Sequence, residues 1–194
     1  MKQINCSIIC EDIAHSTFVD EFLKFASAHD PEISFSLNVD CYSPWKFKSK
    51  SDVLNYYVDV AARWFANYNL NLLFIIVDFD DWNISEFGEH HDKLLAGLKT
   101  DIQDKSLILL PVRAIEFWLY HVQWKIDNPG STKNISIEDK PRGEMKKLLY
   151  NTKKPHKELA EASVRRIMND FDPDWLVSRS RSFKHFYARF MKLI

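Results

Sequence analysis

Two short runs in this chain, Leu72–Val77 and Leu107–Leu110, are apolar at every position. A strand with one wet face alternates apolar and polar residues. A run that does not alternate, and is too short for a helix, needs cover on both faces, as a central strand of a parallel sheet has. Pro111 stops the second run. Ile4–Ile9 reads as a further strand. Ile33–Val39 alternates without error, with Ile, Phe, Leu and Val set against Ser, Ser and Asn, so it belongs nearer a sheet edge.

Between these runs the apolar spacing turns helical. Phe18, Phe22, Leu23 and Ala26 mark a helix over Ser16–His29 with Ser16 as its cap. Further helices are expected over Ser51–Tyr68, Glu86–Ile102 and Arg113–Ile126. A loop over 127–142 precedes helices near 143–151, 156–170 and 182–192. Strands alternating with helices define an α/β fold, a mainly parallel central sheet with helices on both faces. The expected organisation is an α/β core over 1–127 and a basic, mainly helical C-terminal extension over 128–194 packed on it.

Four glycines in 194 residues, with neither G-x-G-x-x-G nor a P-loop string, exclude a glycine-rich phosphate loop. Cys6, Cys10 and Cys41 have no C-x-x-C spacing and fit reduced thiols in a cytoplasmic protein. No apolar run approaches the roughly 18 residues of a membrane span. Charge is unevenly spread: residues 1–138 carry 12 Lys/Arg and 20 Asp/Glu, whereas residues 139–194 carry 14 and 7. An acidic body with a basic tail suits a metal site beside a phosphate-holding surface, and it equally suits a solvated helical face.

In parallel sheets ligands bind outside the carboxyl ends of the strands. Acids stand at three such ends: Glu11-Asp12 after the first strand, Asp78-Phe79-Asp80-Asp81 after the third, and Glu116 just beyond the fourth. Asp78 and Asp80 lie two apart on an extended stretch, which directs both to one side. Converging carboxylates repel, and a bound cation relieves them. Hard oxygen donors select Mg²⁺, Mn²⁺ or Ca²⁺. For Asp12 and Asp81 alone, a helix cap or solvated loop role is the plainer reading.

These strings together resemble the Toprim domain, especially small Toprim-like proteins related to the OLD (overcoming lysogenization defect) nucleases. The first strand and its acid read I-I-C-E-D-I-A-H, with Glu11 at the family's glutamate. The D-x-D reads F-I-I-V-D-F-D-D, with Asp78 and Asp80. A proline followed by a glutamate before an aromatic reads L-P-V-R-A-I-E-F-W-L, with Glu116, and a terminal serine-phenylalanine element is Ser182-Phe183. The chain departs from the pattern at Asp12, where glycine is usual, and at His15, where a second acid is common. The resemblance implies a Mg²⁺- or Mn²⁺-dependent nuclease of DNA or RNA, often in antiphage defence and beside a partner ATPase. Glu11, Asp78 and Asp80 would be metal ligands, Glu11 also a candidate general base, and Glu116 a ligand or supporting acid. A catalytically degenerate module that only binds nucleic acid or a partner is the alternative. A D-x-D phosphatase ranks last, because its motif normally sits on the first strand and Trp82 departs from it.

Among the basic residues, Lys153, Lys154, Lys157, Arg179, Arg181 and Lys184 are candidate nucleic-acid contacts. Trp45-Lys46-Phe47-Lys48 combines rings and cations in a loop. A surface helix is the expected setting for His90-His91, and packing for His121, Trp124, Trp64, Trp118 and Phe186.

Overall fold

The computed structural model describes residues 1–38, 41, 47–80, 85–130 and 142–194. Asp81, Trp82, Trp45 and Lys46 lie outside the described residues. Four strands, β1 (Lys2–Ile9), β2 (Ile33–Leu37), β3 (Leu72–Ile76) and β4 (Ser106–Leu109), form one sheet in the order β2-β1-β3-β4. All three pairings are parallel, with Cys6 opposite Leu37 and Leu72, and Phe74 opposite Leu107. The alternating run is the edge strand β2, and the continuous apolar run is the interior strand β3, buried at all five positions.

The reason lies in the cover. Leu72, Phe74 and Ile76 enter one apolar cluster and Leu73, Ile75 and Val77 another. The first cluster is closed by α1 (Ile13–His29), α5 (Ile115–Asp127), α7 (Lys157–Met168), α8 (Pro173–Arg179) and α9 (Arg181–Leu193). The second is closed by α2 (Lys50–Asn67), α3 (Phe87–Gly97) and the short α4 (Thr100–Gln103). A helix α6 (Arg142–Tyr150) also joins the first face through Leu149 and Tyr150. The basic C-terminal helices therefore share the core of the sheet. Phe22 alone meets Phe186 at 5.2 Å and Phe190 at 4.8 Å between ring centres, and a buried Phe stabilises the fold by about 1.5–3 kcal/mol.

Helix ends differ from the sequence reading in places. α1 opens at Ile13, capped by Asp12, whose carboxylate accepts the Ala14 N–H at 2.8 Å. Ser16 lies within the helix and donates to the Ile13 carbonyl. An earlier start brings Ala14 into the core, at 1% exposure. The expected helix over 86–102 is two pieces, α3 and α4. α8 was not anticipated, although Asp172 caps it and Pro173 opens it, both ordinary start signals. Among the described residues no helix is long and apolar enough to cross a membrane.

Candidate functional site at the carboxyl edge of the sheet

β1 connects to β2 on one side, and β3 to β4 on the other, so the carboxyl ends of β1 and β3 form the point where strand order diverges. A crevice opens at such points in parallel α/β sheets. Here a cleft of about 520 Å³ is lined by Glu11, Asp12 and Ile13 after β1, and by Glu116 on α5. Its far wall is Lys146 and Tyr150 of α6, then Lys153, Lys154 and Pro155, then Lys157 of α7. Sequence reasoning placed Glu11, Glu116 and the three later lysines at the site. It missed Lys146 and Tyr150, which no local string distinguishes.

Glu116 is 2% exposed. Its Oε1 pairs with Lys146 Nζ at 3.2 Å, and its Oε2 is buried without a hydrogen-bond partner among the described residues. Burial pushes its carboxyl above the usual range; Lys146 opposes that, while Asp78 and Asp12 add to it. A buried carboxylate oxygen left unpaired is costly, and native structures explain such atoms with water, an ion or a ligand.

Asp78 does not line the cleft. It lies behind it, at 4% exposure. Its Oδ1 receives His15 Nε2 at 2.9 Å and the Ile115 N–H at 3.0 Å. Ile115 is the first residue of α5, and the preceding Ala114 has no side chain to cap it. Asp78 thus caps α5 from another strand, at the helix end where negative charge is favoured. The loop that permits this holds Arg113 at φ 66, in the left-handed region, with the Arg113 N–H on the Phe79 carbonyl at 2.6 Å. His15 is fully buried. Burial, the largest influence on its ring, opposes the charge, yet Asp78, Asp12 and Glu116 outweigh it and raise the ring's proton affinity. His15 thus sits against Asp78, with further carboxylates near it that favour its protonated form.

Asp80 goes elsewhere. It is exposed, and its Oδ2 pairs with Lys50 Nζ at 2.8 Å, while the same ammonium donates to the Asp78 carbonyl at 2.7 Å. The expected common direction of Asp78 and Asp80 is corrected: one carboxylate turns inward to His15 and α5, the other to α2, because the chain leaves the strand beyond Phe79. Asp12, the weaker sequence candidate, has the cap role read for it, and its charge also acts on His15, Glu116 and Tyr150.

Lys153, Lys154 and Lys157 are exposed along the cleft, and their ammonium groups have no ion pair among the described residues. Arg181 and Lys184 are exposed at the start of α9 and do not line the cleft. Arg179 is corrected as a nucleic-acid contact: it is 8% exposed and stacks over the Trp175 ring at 3.8 Å. Trp175 in turn stacks on Trp124 at 5.7 Å. His91 is buried rather than exposed, packing at 4.4 Å against the His185 ring. Ser182 is structural: its Oγ accepts the Trp118 Nε1–H at 2.9 Å and the Val112 N–H at 3.3 Å.

Among the described residues no group of three or more His, Cys, Asp or Glu side chains stands ready to hold a metal ion. The donor chemistry of the cleft nonetheless suits a hard cation, since Glu11 and Glu116 present carboxylates there and Glu116 Oε2 lacks a partner among the described residues. Fold and cleft define a parallel α/β protein with acids on one wall of its sheet-edge crevice and lysines on the other. No family model, no curated protein and no solved structure matches the chain.

Proposed function

We propose that this protein is a Toprim-like, Mg²⁺- or Mn²⁺-dependent phosphodiester hydrolase acting on DNA or RNA. The observation that carries the reading is the cleft itself, with Glu11 and Glu116 facing Lys146, Lys153, Lys154 and Lys157. Glu11 and Glu116 are the residues that would hold the cation, with Asp78 contributing negative charge from behind. When bound, the cation supplies an activated water and neutralises charge on the phosphoryl group. The chain's own residues do the remainder. Lys153, Lys154 and Lys157 hold the phosphate backbone by charge, and Lys146 opposes the protonation of Glu116 that burial favours. Asp78 and His15 fix the first turn of α5, on which Glu116 stands. A role in antiphage defence beside a partner ATPase follows from the family resemblance alone.

The test is incubation with plasmid, single-stranded DNA and tRNA in Mg²⁺ and in Mn²⁺, comparing the parent with Glu11→Gln. Cleavage by the parent, reduced at least about a hundredfold in the variant, is the expected result. Asp78→Ala is a poor control, because it uncaps α5 as well. One observation favours a second reading, a module that binds without cutting: the D-x-D carboxylates are already engaged, by His15 and Ile115 and by Lys50. Nucleic-acid binding with no cleavage in either metal supports that reading.

A further inference from the structure

Tyr150 ends α6 on the lysine wall of the cleft and is 4% exposed. Its hydroxyl is buried with no hydrogen-bond partner among the described residues. Glu116 Oε2, in the same cleft, likewise has no partner among the described residues, so the two atoms do not satisfy each other. A phenol that serves only packing gains nothing from a buried, unpaired hydroxyl, and phenylalanine fills the same space without that cost. Burial and the charges of Glu116, Asp12 and Asp78 all hold the proton on the oxygen, which leaves the group as a donor in search of an acceptor. Asn151, the next residue, takes φ 56, a left-handed turn that asparagine tolerates. The chain then runs on through Lys153, Lys154 and Lys157 along the same cleft. An acceptor entering there meets Lys146 on Tyr150's own helix and three ammonium groups beside it. Phosphate oxygens fit that set of donors and cations.

Resting on the reading of the cleft as a phosphodiester site, we propose that Tyr150 contacts substrate directly. Its hydroxyl donates a hydrogen bond to a non-bridging phosphate oxygen seated beside Lys146. The interaction is charge-assisted and localised, so a single atom carries it.

The test is Tyr150→Phe, which removes that atom alone. Affinity for inorganic phosphate is measured by calorimetry without divalent metal, together with the melting temperature of each protein. The expected result is phosphate binding by the parent, weakened about tenfold or more in the variant, with a melting temperature unchanged or raised. Equal phosphate affinity in both proteins overturns the proposal, and so does absence of phosphate binding by the parent. A variant that melts several degrees lower assigns the hydroxyl a structural role and also overturns it. Cleavage is scored separately with Glu11→Gln. Loss of phosphate affinity in Tyr150→Phe, with no cleavage by the parent in any metal, upholds the phosphate contact while the hydrolase reading fails.

Discussion

His15 Nε2 lies 2.9 Å from Asp78 Oδ1, with 1% and 6% of the two side chains exposed. The pair joins the start of α1 to the end of β3, and the same Asp78 oxygen receives the first N–H of α5. Removing one member of a buried hydrogen-bonded pair leaves the other's polar atoms unpaired, which costs about 1–3 kcal/mol and more where charge is involved. His15→Ala is therefore expected to destabilise the protein by about 3 kcal/mol, read from urea unfolding. In a double-mutant cycle with Asp78→Asn the two losses should not add. Additive losses would show that the two side chains are not coupled.

Ser182 gives a second prediction. Its Oγ serves the buried Trp118 indole N–H and the Val112 N–H, and shares a hydrogen bond with Ser180 Oγ at 3.1 Å. Ser182→Ala strands those donors and should cost about 1–3 kcal/mol. Phosphate affinity is expected to stay unchanged, because the residue lies outside the cleft.

His121 makes stability depend on acid. Burial, aided by the nearby Arg179, lowers its ring from 6.5 to about 4. The unfolded chain takes up a proton at this ring before the native chain does. The contribution is thus fully present above about pH 6.5 and is lost as pH falls toward 4. It amounts to about 3 kcal/mol. Melting temperature followed from pH 7 to 4 should fall more steeply in the parent than in His121→Gln, which has no such proton to gain. Parallel profiles would contradict this.

The layout of the sheet was legible in residues because burial leaves a period. β3 is apolar throughout, since both faces are covered, and β2 alternates, since it is an edge. Glu11 and Glu116 were legible as acids at strand ends. The use made of Asp78 was not, because the N–H it caps lies 37 residues further on and Ala114 gives no sign that its helix needs an outside partner. Asp80 misled for a related reason. The D-x-D spacing places two carboxylates together only while the chain stays extended, and here Lys50, from a helix 30 residues earlier, takes the second one. Tyr150 and Lys146 were invisible as site residues because what they face comes from β1 and α5. The α8 start at Asp172-Pro173 carried its signal, but seven residues make too short a run for periodicity to register.

Lysines of the cleft wall should set salt dependence. Each phosphate contact made by Lys153, Lys154 or Lys157 contributes about 0.7–0.9 to the slope of log affinity against log salt. Replacing all three with alanine is expected to flatten that slope by about two units for a short oligonucleotide. The melting temperature should hold, because these side chains are exposed. An unchanged slope would place the nucleic acid on another surface.

The central claim is that a hard cation belongs between Glu11 and Glu116. Crystals grown or soaked in Mn²⁺ and measured for anomalous scattering test it most directly. The account predicts one or two peaks in the cleft within bonding distance of the Glu116 carboxylate, lost in Glu116→Gln. A map with no peak in the cleft, or with its only peak beside Asp80 on the Lys50 side, would contradict it.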